Sequence, residues 1–188
     1  MKRRFETLVS VALLGLCWTF TGCERNKQGR HERTSASIPR DASALPAGLF
    51  IYDVPPGARS VAEVKAEVKN PGEVVVHGRI GGRREPFVDG AAVFLLADTG
   101  MKTCAELHGD TCPTPWDYCC EPRESLTAKT ATIQVIGDDG KPLGVDLKGR
   151  QGLEPMAEVT VVGEIQTRVD ASALLINARR VYVHPRGG

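Results

Sequence analysis

Aromatic residues make up only 5% of this chain, Trp occurs at two positions, and the formal net charge is +1. These scarcities exclude whole classes of function. Binding of single-stranded nucleic acid needs aromatic platforms above a basic groove, so no nucleic-acid partner is expected. There is no P-loop and no Gly-x-Gly-x-x-Gly to cradle a phosphate. Cys-x-x-Cys and Cys-x-x-Cys-His are also missing, which argues against thioredoxin-like redox chemistry and covalent haem. No apolar run reaches the roughly 20 residues that span a bilayer. Asp98, Asp138 and Asp139 flank turns, where Asp serves backbone amides, and His77, on the strand face opposite Val74 and Val76, reads as a surface residue rather than a base. The expectation is a protein that is not an enzyme and needs no cofactor.

The N-terminus supplies an address. Met1-Lys2-Arg3-Arg4 is a basic lead, and Leu8 to Phe20 is mostly apolar, the pattern of a secretory signal peptide. It ends Phe20-Thr21-Gly22-Cys23 and resembles the lipobox of bacterial lipoproteins, with Phe20 where Leu is usual. That resemblance implies removal of residues 1–22, Cys17 included, and acylation of Cys23. Several acyl chains on one residue give stable anchoring. The protein is then held on the cell membrane or outer membrane, facing the periplasm or exterior. An ordinary signal peptide cut elsewhere is the alternative. Residues 23–47 are polar, with almost no large apolar side chain, and read as a tether.

Residues 48–188 carry the folded domain. Gly48 to Gly57 is an extended lead-in, since Pro55-Pro56 forbids a helix. Ser60-Val-Ala-Glu63 is a capping box that opens a short helix, stopped by Asn70-Pro71-Gly72. Five strand signals follow: Val74 to Ile80, Ala91 to Ala97, Thr130 to Ile136, Val159 to Ile165 and Leu174 to Val183. Gly81-Gly82 allows a bend or bulge after the first, with Arg83-Arg84 exposed beyond it. Val-x-Val-x-Gly-x-Ile recurs at 74–80 and 159–165, and a Gly at one place in two strands suggests a close approach of backbones.

In their order, these elements resemble the OB-fold, a five-stranded Greek-key barrel. More narrowly, Gly78-Arg-Ile-Gly-Gly82, Pro86-Phe-Val and Cys112-Pro-Thr-Pro-Trp-Asp-Tyr-Cys-Cys-Glu121 are similar to a group of uncharacterised planctomycete lipoproteins. That similarity implies an OB-like domain behind a lipid anchor. A small β-sandwich with the same strand count is the competing fold. Residues 99–128 are far longer than a hairpin loop and read as an insertion between the second and third strands.

That insertion contains Cys104, Cys112, Cys119 and Cys120, the four cysteines left once Cys17 and Cys23 are set aside. An even number in an oxidising compartment suggests disulfides. A bond between adjacent Cys119 and Cys120 would be strained. Two pairings remain: Cys104–Cys119 with Cys112–Cys120, or Cys104–Cys120 with Cys112–Cys119. Either would hold Trp116, Asp117 and Tyr118 as a rigid surface for a protein or envelope partner. In the alternative reading, Cys104, Cys112, Cys119 and Cys120, to which His108 and Asp117 could add ligands, hold a metal, with a soft Cu(I) site conceivable, or do redox chemistry. Their spacings are unlike the usual paired zinc ligands.

Overall fold

The computed structural model describes residues 44–67, 71–107, 111–166 and 173–186. Cys23, the segment before it, nearly all of the tether, and His108 lie outside the described residues. Among the described residues the fold is mainly β, a closed barrel of five strands with two short α-helices. The strands are β1 (Glu73–Ile80), β2 (Val93–Ala97), β3 (Thr130–Gln134), β4 (Glu158–Ile165) and β5 (Leu175–Val183). All five fall where alternating apolar residues placed them, with ends shifted by a residue or two. In β1, Val74, Val76, Gly78 and Ile80 face inward and Val75, His77 and Arg79 face outward, the period-two signature of a half-buried strand.

The barrel closes through β1–β2, β2–β3, β3–β5, β5–β4 and β4–β1 pairing, with only β3–β5 parallel. Closure leaves the main strands few exposed edges. Two two-residue strands add at the margin: Phe50–Ile51 runs parallel to β5, and Arg59–Ser60 parallel to β1. The barrel interior is filled by Val76, Ile80, Phe94, Leu96, Ile133, Val161 and Ile176, all fully buried. Among the described residues, no helix is long and apolar enough to cross a membrane.

Helix α1 (Val61–Glu67) begins with the expected capping box: the Ser60 amide donates to Glu63 Oε2 at 2.8 Å and the Glu63 amide to Ser60 Oγ at 3.2 Å. Asp98, just after β2, accepts from the Ala62 amide at 2.8 Å and from the Gly100 amide at 2.8 Å. Its buried carboxylate thereby ties the start of α1 to the start of the long connection. That connection, between β2 and β3, contains a helix the sequence pattern did not reveal, α2 (Arg123–Lys129). Lys65 of α1 reaches over to donate to the Thr127 carbonyl and to the Thr130 carbonyl, the latter at 2.8 Å. A cation on the last carbonyls of α2 satisfies groups that a helix end leaves unpaired.

The repeated glycines mark close approaches of neighbouring strands. Gly78 of β1 pairs with Val159, and Gly163 of β4 with Val74. A Cβ on Gly78 would lie 2.7 Å from the Ala97 carbonyl oxygen and 2.7 Å from Leu96 Cγ. A Cβ on Gly163 would strike the Asn177 carbonyl, beside a bulge in β4–β5 pairing. Gly78→Ala should therefore lose about 1–3 kcal/mol of unfolding free energy, because a backbone carbonyl cannot step aside. Gly72→Ala, with no atom within 4 Å of the added carbon, should stay within about 0.5 kcal/mol. Urea unfolding of both variants checks this; equal midpoints would contradict it.

Candidate functional site

The connection between β2 and β3 folds back against the end of β1. Gly81 and Gly82 supply the room. The Gly82 amide donates to the Trp116 carbonyl at 2.9 Å, and a Cβ on Gly81 would lie 2.6 Å from that same oxygen. The Gly-Gly pair thus does more than bend the chain; it is the slot in which the loop docks. Trp116, half-buried, adds a hydrogen bond from Nε1 to the Arg84 carbonyl at 2.9 Å.

A short 3-10 turn, Pro115–Asp117, ends at Tyr118, whose backbone is left-handed (φ 55°, ψ 36°). This inversion turns Tyr118 inward, where it is fully buried against Ala97, Met101 and Leu126. The expected recognition surface of Trp116, Asp117 and Tyr118 is therefore corrected: Tyr118 is an anchor under the loop and presents nothing to solvent. Its hydroxyl lies beside the Arg79 guanidinium without closing a hydrogen bond, and burial, with Arg79 opposing, pushes the phenol up.

With Tyr118 inside, its neighbours Asp117 and Cys119 are held together at the rim. A second 3-10 turn, Cys104–Glu106, brings in Cys104. Glu106 accepts from the Thr103 amide at 2.6 Å and the Thr103 hydroxyl at 2.8 Å, and pairs with Arg79 at 3.5 Å. The three acceptances and attractions hold its carboxyl below the usual range, hydrogen bonds from Thr103 first. Arg79 of β1 also meets Glu158 of β4 at 3.2 Å, so the barrel wall fixes the turn that carries Cys104.

The four sulfurs do converge, with Cys119 as the hub. Its Sγ lies 3.6 Å from that of Cys104, 4.0 Å from Cys112 and 3.9 Å from Cys120. None of these is the about 2.05 Å of a disulfide bond, so neither expected pairing is formed in this structure. A carboxylate joins them: Asp117 Oδ1 lies 3.7 Å from Cys104 Sγ and accepts the Cys119 amide at 3.0 Å. Asp117 Oδ2 accepts from the Thr114 hydroxyl at 2.8 Å. The ligand atoms of Cys104, Cys112, Asp117 and Cys119 all lie within 4.8 Å of one another. Of the two roles the sequence offers Asp117, recognition surface or added ligand, its position beside the Cys104 thiol matches the second. Cys120 stands outside this set of four.

The local electrostatics favour the anion at Asp117 and Cys112 and the neutral thiol at Cys119. Burial pushes Asp117 up, but the Thr114 hydroxyl, the Cys119 amide and the neighbouring thiols outweigh it and hold the carboxyl below its ordinary value. Hydrogen bonds from the Thr114 amide and hydroxyl lower Cys112. Cys119 is pushed well up, because its thiol proton is shared with Cys104 and then with Cys120.

A second polar cluster lies across β1, β4 and the tail after β5. Thr160 Oγ1 lies 3.3 Å from His77 Nδ1 and 2.9 Å from His184 Nε2, and the two imidazoles meet edge-on at 4.9 Å between centroids. Glu158 lies 3.8 Å from His77 Nε2, and Tyr182 packs edge-on against His184. The sequence does not reveal this cluster around His77, because its partners are distant in the chain. Thr160 is fully buried and offers no accessible nucleophile.

Burial, and then the charge of His77, lowers the His184 pKa, while Glu158 opposes. A histidine whose folded pKa lies below its unfolded value binds protons less readily when folded. Stability is then complete above the unfolded value of about 6.5 and falls as pH drops through it towards the folded pKa. The wild-type urea midpoint should fall between about pH 7.5 and pH 5.5 by more than that of His184→Gln. Identical falls would contradict the assignment. No protein-family model, no curated protein and no solved structure matches this chain.

Proposed function

We propose that this chain is a lipid-anchored, extracytoplasmic barrel protein that binds a thiophilic divalent ion of the zinc class through Cys104, Cys112, Asp117 and Cys119. The observation that carries the reading is the spacing of the donors. A tetrahedral zinc with sulfurs at about 2.3 Å separates them by about 3.8 Å, and an oxygen at about 2.0 Å lies about 3.5 Å from each sulfur. Of the six donor separations, Cys119–Cys104, Cys119–Cys112 and Cys104–Asp117 are 3.6, 4.0 and 3.7 Å, and all six lie within 4.8 Å. A carboxylate oxygen among the donors favours zinc over monovalent copper, which prefers purely soft ligands.

Four protein ligands close the coordination shell and leave no position for an activated water, which favours a structural, storage or carrier role over catalysis. The anchor is supported by the basic lead, the apolar run and Gly22-Cys23. The closed strand order, with its one parallel pair, supports an OB-like Greek-key reading, with residues 99–128 as an insertion on it. Recognition of a protein or envelope partner by the Trp116 surface has less support, since Tyr118 is buried and Asp117 faces the thiols.

Zinc titration of the reduced full-length protein in detergent, against a chromogenic chelator, tests the reading. One ion per chain is expected. Cys104→Ser, Cys112→Ser and Cys119→Ser should each weaken binding by about tenfold or more, equivalent to about 1.4 kcal/mol. Asp117→Asn should cost less, and Trp116→Phe should leave affinity unchanged. Absent binding, or serine variants that bind like wild type, would sink the reading.

A further inference from the structure

Cys120 lies outside the four-donor set, and its position gives it a role. Cys104 is buried, Cys112 is half-buried, and Cys119 and Cys120 are exposed, so the sulfurs form a gradient from the loop interior to solvent. Cys120 Sγ lies 3.9 Å from Cys119 Sγ, a spacing that falls between the two sulfur–sulfur distances of the inner set. Cys119 is thus shared between two ligand pairs, one facing inward and one facing out. The turn holding both sulfurs is fixed, because the Glu121 amide donates to the Tyr118 carbonyl at 2.9 Å and Tyr118 itself is locked in the core.

We infer that Cys119 and Cys120 form an outer thiolate pair through which the ion is loaded and released, with Cys120 the exchange ligand. This rests on the reading of Cys104, Cys112, Asp117 and Cys119 as the resident donors. The exchange needs no oxidant. Cys120 gives up its thiol proton as its sulfur bonds to the ion, and the half-buried Cys112 lets go and takes a proton up. The number of thiolates on the ion is unchanged, and Cys119 stays bound throughout. An ion held at the outer pair faces solvent, where an incoming ligand can replace the protein sulfurs one at a time. Without Cys120, the ion must lose an inner ligand before a new one arrives, which is slower for a cation that is kept four-coordinate.

The test follows zinc leaving the loaded full-length protein for excess pyridylazoresorcinol by stopped flow, alongside equilibrium affinity. Cys120→Ser should keep affinity within about twofold of wild type, a difference well below 1.4 kcal/mol, and slow release about tenfold or more. Cys120→His, which restores a ligand atom, should recover much of the rate. Unchanged release in Cys120→Ser would overturn the exchange role while leaving the resident site intact. Loss of affinity as large as that of Cys104→Ser would make Cys120 a resident ligand and also overturn it. Wild-type protein that holds no zinc would remove the resident site itself, and the exchange role with it.

Discussion

Burial of Tyr118 is the constraint on which the site depends. A left-handed backbone costs a residue with a side chain about 1–2 kcal/mol, and the buried Tyr118 hydroxyl, which closes no hydrogen bond, adds to that cost. Set against both is the burial of the ring, which fills the gap between Ala97, Met101 and Leu126. The geometric consequence matters more than the energy. With residue 118 facing in, residues 117 and 119 are forced to the same rim, where the Asp117 carboxylate accepts from the Cys119 amide and lies 3.7 Å from Cys104 Sγ.

The rest of the connection is arranged around that anchor. Gly81 and Gly82 admit the Trp116 backbone, and Arg79 secures the Cys104 turn through Glu106. Asp98 fixes the start of the connection to α1, and Lys65 fixes its far end at α2. Each of these contacts joins the loop to a barrel strand or to a helix packed on one. The loop therefore derives its order from the barrel, and bridges among its own cysteines are not needed to explain its shape. Rigid support of this kind is what brings donor atoms close to the geometry an ion requires.

Sequence made the barrel legible because its signals are local. Alternation along Val74 to Ile80 and Val159 to Ile165, the Ser60–Glu63 capping box and the paired glycines each depend on residues within one element. The site was only half legible. The four cysteines could be picked out and their convergence expected, but the choice between bonded pairs and a ligand set depends on distances that chain spacing does not encode. Tyr118 reads as an outer-surface residue because nothing in Trp-Asp-Tyr-Cys reports the sign of one φ angle. His77, Thr160 and His184 come together from positions up to 107 residues apart, as 184 minus 77, and no periodic pattern links them.

The central claim is that the folded loop presents three sulfurs and one oxygen to a single ion. X-ray absorption at the zinc edge of the loaded full-length protein tests this most directly. The account predicts a first shell of about three sulfurs at about 2.3 Å and one oxygen at about 2.0 Å. A shell of oxygen and nitrogen alone, or of four sulfurs, would contradict it.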